Sequence, residues 1–134
     1  MIDIDKAIFT RLTSDSAVAA IVTDRVYPGN ATSDTKPYVT FETASQPSTA
    51  LKKPTLKGFE ITISAVANTR TQAKYLYSAV ATALDQGGIW GGVKVRPANE
   101  IMPPVTTDFP EAPGQIETTV WEVEGTFQIY AYES

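Results

Sequence analysis

Glu122 and Glu124 stand two positions apart in a run whose alternation places both carboxylates on one strand face. Paired carboxylates are the apparatus of glycoside hydrolysis, where they flank a cleft at about 5 to 10 Å. Neighbouring positions on one exposed strand define no cleft, so the pair reads as a solvated face. The run GGIWGG, residues 87–92, suggests a phosphate loop. Such loops set their glycines before a helix, so that its N-terminal amides meet the anion. Here the glycines follow a helical pattern with no Lys-Ser/Thr pair after them, and they read as a helix cap and a turn. Trp90, between the glycine pairs, is either a core plug or an interface anchor. Lys52, Lys53 and Lys57 lie among prolines, a pattern that keeps an edge soluble more readily than it holds nucleic acid. Asp3 and Asp5 lack the glycine and the later glutamate of a calcium loop.

What is missing narrows the chemistry further. The 134 residues include no cysteine and no histidine. Disulfides, thiolate catalysis, sulfur-ligated zinc, a Ser-His-Asp triad and histidine-ligated metals all fall away. Neither a metal nor a cofactor is expected, and the residues point away from an enzyme. No apolar run approaches the roughly 18 residues needed to cross a bilayer. The opening MIDIDKAIF is acidic where a signal peptide would be basic, so synthesis in the cytoplasm, with no membrane partner, is expected. The sequon Asn30-Ala31-Thr32 is then an accident of a polar loop.

The net charge of -4 argues against non-specific or sequence-specific nucleic-acid binding, and its distribution is more informative than its sum. Eleven cations and eight acids precede residue 97, which leaves that part at +3, whereas the last 38 residues carry seven acids and no cation. Such segregation suits a subunit whose opposite-signed surfaces pack head to tail.

The elements that must position these groups follow from periodicity. Ile4, Ile8 and Leu12, with Ala7, mark an N-terminal helix, and Ser14 is the expected N-cap of a short second one carrying Val18, Ile21 and Val22. Strands are expected at Arg25–Tyr27 and Tyr38–Ser45, followed by a loop from Gln46 to Lys57. In GFEITISAVAN, residues 58–68, Phe59, Ile61, Ile63 and Ala65 alternate with polar neighbours as a half-buried strand. Thr69-Arg70-Thr71-Gln72 fits a capping box that opens a helix with the stripe Ala73, Leu76, Tyr77, Val80 and Leu84. A strand at Val93–Arg96 comes next. The four prolines of Met102–Gln115 predict a long loop, and a closing strand spans Ile116–Tyr132 with a bulge or bend at Gly125. This order predicts a single α+β domain, a mostly antiparallel sheet packed with an N-terminal helix and one longer interior helix.

Three segments carry a resemblance. DSAVAAIVTDRVYPG, residues 15–29, followed by KPYVTFE, residues 36–42, resembles the opening of the tail-completion, or tail-terminator, proteins of long-tailed bacteriophages. GFEITISAVANTRTQAKYLYSAVATAL, residues 58–84, is similar to that family's strand-then-helix unit, and the likeness covers most of Ile2 to Arg96. It implies a subunit that closes into a homo-hexameric ring, caps the tail tube at full length and meets the head connector or stopper protein. It also implies a place at the top of the virion tail, after assembly in the host cytoplasm. The residues expected to bind partners are then those of the two loops and the acidic strand: Gln46, Lys52, Lys53, Lys57, Asp108, Phe109, Glu111, Glu122 and Glu124, with Trp90 as a possible anchor. The alternative is a small soluble module that stacks peptide or carbohydrate on Trp90, Tyr130 and Tyr132.

Overall fold

The computed structural model describes residues 3–31, 35–45, 56–110 and 119–132. Helix α1 spans Ile4–Ser14 and α2 spans Ser16–Val22. Strands β1, Val26–Pro28, β2, Tyr38–Ser45, and β3, Leu56–Ala67, lead to helix α3, Arg70–Asp85. Strands β4, Gly88–Trp90, β5, Val93–Val95, β6, Asn99–Pro110, and β7, Thr119–Tyr132, complete the chain. This is the expected α+β arrangement, in which the helices cover one face of a single mixed sheet. No described helix is long and apolar enough to cross a membrane.

Each helix starts where a side-chain oxygen can satisfy free amides. Asp3 caps α1 by accepting from the Lys6 amide at 3.1 Å, and Thr69 caps α3 by accepting from the Gln72 amide at 3.1 Å. The short helix corrects the expectation at Ser14. Asp15 is its cap, one Oδ1 accepting from the amides of both Ala17 and Val18, while Ser14 ends α1. A carboxylate suits that place better than a hydroxyl because it also meets the positive end of the helix dipole.

The helices bury the faces that their periodicity marks. Ile4, Ala7, Ile8 and Leu12 of α1 and Ala73, Leu76, Tyr77, Val80 and Leu84 of α3 join Ile61, Ile63, Val123, Phe127 and Ile129 of the sheet in one core. Full burial of each large aliphatic side chain contributes about 1.5 to 3 kcal/mol. Arg11 ties the two longer helices together at their ends: its Nε donates to the Ala83 carbonyl at 2.9 Å and its Nη2 to Gln86 Oε1 at 2.7 Å. Ala83 is in the last turn of α3, where a cation meets carbonyls that the helix leaves unpaired.

The sheet order is β1-β2-β3-β7-β5-β4, with β6 also on β7. β3 and β7 pair in unbroken antiparallel register from Leu56↔Tyr132 to Ala67↔Trp121, so β7 is the central strand. Its other side is shared, by β6 from Thr119 to Gln128 and by β5 at Ala131. β1 pairs β2 in parallel, with Val26 opposite Val39, so the single parallel pair described departs from the otherwise antiparallel plan.

Two further expectations are corrected, and a third is refined. GGIWGG is more than a cap and a turn, because Gly88–Trp90 is a strand paired with β5. Gly91 and Gly92, at φ 56° and 85°, make the turn between them. Consecutive positive φ values are what a tight two-residue hairpin requires. Residues 102–110, expected in a loop, belong to β6. Their prolines are tolerated because β6 is an edge strand, and Pro103 and Pro104 fall at the register shift between Met102 and Val105. At Gly125 the expected irregularity lies on the β6 side, where the register shift between Met102 and Val105 faces it, while the register against β3 runs on; the glycine also answers to Tyr77, whose hydroxyl stands where its β-carbon would be.

Candidate functional site

The Arg-Val-Tyr-Pro and Pro-Tyr-Val segments meet in space. Arg25 Nε donates to the Pro37 carbonyl at 2.9 Å, and the Val39 amide donates to the Arg25 carbonyl at 3.0 Å. The rings of Tyr27 and Tyr38 meet edge to face at 6.1 Å. The two short motifs are thus one structural unit that fixes β1 against β2, and the loop between them is the connection this pairing requires. No ligand-binding group is needed to account for it.

The helix-free face of the sheet carries the even-numbered residues of β3 and β7. Glu60, Ser64, Glu122, Glu124, Gln128, Tyr130 and Tyr132 all keep solvent contact there. Glu124 Oε2 accepts from the Ser64 hydroxyl at 3.3 Å. Partial burial, and then the neighbouring Glu124 carboxylate, raise the Glu122 carboxyl above the ordinary glutamate value. At the far end of β7 the charge reverses. The Tyr132 ring meets two cations, with Lys94 Nζ 5.3 Å and Arg96 Cζ 5.5 Å from its centroid. Arg96 Nε also donates to the Tyr132 hydroxyl at 2.9 Å.

On the helix side, Tyr77 fastens the root of β6. Its hydroxyl donates to Glu100 Oε2 at 2.8 Å, and burial, reinforced by that carboxylate, pushes the phenol well above its ordinary value. The Tyr77 ring lies 6.0 Å from that of Phe127. Beyond this anchor, Ile101, Met102 and Val105 of β6 are exposed large apolar residues.

The expected partner-binding residues separate into three groups. Gln46, Lys52, Lys53 and Glu111 lie outside the described residues. Asp108, Phe109, Glu122 and Glu124 all belong to the β6–β7 pair, but Asp108, opposite Trp121, lies on the other face of the sheet from Glu122 and Glu124, while Phe109 is opposite Val120. Lys57 lies apart, half-buried on β3 opposite Ala131. Trp90 has the core role of the two left open: it is 2% exposed, and its indole N–H donates to the Gly87 carbonyl at 3.1 Å. A stacking surface built on Trp90, Tyr130 and Tyr132 therefore has no exposed indole.

Ile89, Lys94, Arg96, Met102 and Val105 escaped the sequence reading. The signal was faint, since a three-residue strand shows no period and two prolines mask the extended run around them. Two shallow grooves flank α3, one against α2 with Asp15 and Tyr75 in its wall, the other against β6 with Glu100 and Phe127. Among the described residues, no buried side-chain polar atom lacks a partner and no cluster of acidic residues could hold a metal. The arrangement is suited to surface contact.

Comparison with known proteins points the same way. The model of the family described as tail completion protein gp17 matches residues 6–97. A solved chain described as part of the virion of a native gene transfer agent particle has a similar fold, with a TM-score of 0.65 at 16% identity. That match covers 93% of this chain and 91% of the other. A second solved chain is similar at a TM-score of 0.56 and 14% identity, over 98% of this chain and 95% of its own length. No curated protein matches.

Proposed function

This chain belongs to the tail completion protein gp17 family and is a structural protein of a phage tail, and we propose that it ends the tail tube and joins it to the head. In this reading six copies close into a ring. The ring caps the tube once it has reached full length, halts its polymerisation, and offers its opposite side to the head connector. The chain acts at the top of the virion tail after assembly in the host cytoplasm, by contact alone and without catalysis.

The observation that carries this reading is the family match over residues 6–97, whose two short motifs are joined by the Arg25–Pro37 bond and the Tyr27–Tyr38 contact. The charge arrangement supports it. A ring is built from heterologous contacts, in which one surface of a subunit meets a different surface of the next. Asp108, Phe109, Glu122 and Glu124 on the β6–β7 pair, with Lys57 and the segments 46–55 and 111–118, are the proposed contacts to neighbours and to the tube.

Native mass spectrometry of the purified chain, alone and after addition of tail tube protein, tests the ring. A six-subunit species in either condition is expected. A chain that stays monomeric in both would refute the ring.

A further inference from the structure

We propose that the β6–β7 end of one subunit's open sheet face seats on the β5 end of the next subunit's open face. Met102, Val105, Glu122 and Glu124 of one copy then meet Ile89, Lys94 and Arg96 of its neighbour. The proposal rests on the ring reading and names the surfaces that close the ring.

The register puts both groups on the same face of the sheet. Val105 is opposite Glu124, Met102 opposite Thr126 and Thr107 opposite Glu122, so the two exposed aliphatics lie beside the two carboxylates. Ile89 is opposite Lys94, and Lys94 and Arg96 flank Tyr132 on that same face. Arg96 stands opposite Tyr130, so the nearest opposed charges, Glu124 and Arg96, are six positions apart along β7, about 20 Å at roughly 3.3 Å per residue. The two groups therefore cannot meet within one chain.

Each group has an apolar centre and a charged rim, and the rims have opposite sign. Met102 is 59% exposed, Val105 63% and Ile89 75%. Among the described residues, none of Lys94, Arg96, Glu122 and Glu124 has an ion-pair partner. An exposed apolar residue ringed by unpaired charge is the usual anatomy of an interface. Both cations lie against the Tyr132 ring, and Arg96 also bonds its hydroxyl, which restrains them before contact and lowers the entropic cost of binding. Among the described residues, no strand pairs with the outer side of β6, a strand of twelve residues, and such an edge needs cover. A second copy fits because the complementary charge is on this same chain.

Two charge reversals test the pairing: Lys94→Glu with Arg96→Glu, and Glu122→Lys with Glu124→Lys. Circular dichroism confirms folding, and sedimentation velocity reads self-association alone and on assembled tail tube. Each double variant by itself is expected to associate about a hundredfold more weakly than the unaltered chain, since like charges then face each other. An equimolar mixture is expected to regain the ring, because alternating subunits restore opposite charges at every contact of an even-numbered ring. If a reversal unfolds the chain, Lys94→Gln with Arg96→Gln and Glu122→Gln with Glu124→Gln replace it, with an expected weakening of about tenfold. Unaltered rings with equally stable rings from each variant would overturn this pairing and leave the ring standing. An unaltered chain that never assembles, alone or on tube, would remove the ring and the pairing together.

Discussion

The Tyr77 hydroxyl fills the space that a β-carbon on residue 125 would need, so α3 lies directly on the bare backbone of the central strand. Adding that carbon must push the ring or the strand aside. Gly125→Ala is expected to lower stability by about 1 to 3 kcal/mol, the usual cost of overpacking. Chemical denaturation measures it, and a change below about 0.5 kcal/mol would mean that the contact is not tight.

Tyr77 also sets an alkaline limit. Its folded pKa is raised above the unfolded value of 10.0, so the fold favours the protonated phenol. That preference is fully present below pH 10 and is lost as pH rises through the folded value. Thermal unfolding followed from pH 9 upward should fall more steeply for the unaltered chain than for Tyr77→Phe. Parallel curves would contradict this assignment.

Glu122 acts in the same sense at the other end of the scale. Burial and the Glu124 charge raise its pKa, so at neutral pH the ionised carboxylate opposes folding of the single subunit. Its contribution is present below the ordinary glutamate value, about 4.3, and lost as pH rises through the folded value. Glu122→Gln should raise the Tm of the monomeric chain at pH 7 and leave it unchanged near pH 3. A lower Tm at pH 7 would contradict the assignment.

Arg25 holds the two motif segments together through the Pro37 carbonyl, and its Nη2 reaches the Ile21 carbonyl at 3.4 Å. Arg25→Ala should cost about 1.5 to 3 kcal/mol, the range for hydrogen bonds made by a charged group. Hydrogen exchange should also quicken at the Val39 amide, which donates to the Arg25 carbonyl. Unchanged protection there would separate the side chain from the pairing of β1 with β2.

Trp90 should behave as a core residue. Trp90→Ala is expected to cost about 3 to 5 kcal/mol in denaturation, as large-to-small changes in a core do. A stable variant defective only in assembly would restore its reading as an interface anchor.

The core was legible wherever an element was long enough to show a period. The stripes of α1 and α3 and the alternation of β3 all mark residues that the fold buries. Asp15 displaced Ser14 as a cap because sequence offers two adjacent capping residues and geometry uses one. β4 is too short to carry a period, and β6 hides behind prolines that only an edge strand or a register shift accepts. The site was harder to read. Glu122 and Glu124 are visible as a charged face, but their relation to Met102 and Val105 depends on strand pairing between segments that no local pattern links. The cationic end is likewise a product of register, since Lys94 and Arg96 gain meaning only beside Tyr132.

The length of the tail tube is the most direct readout of capping. Tubes assembled from purified tail tube protein with and without this chain can be compared by electron microscopy. The chain is expected to arrest growth and leave a six-subunit ring at one tube end, with longer, uncapped tubes in its absence. Tubes of the same length distribution in both samples, with bare ends, would contradict it.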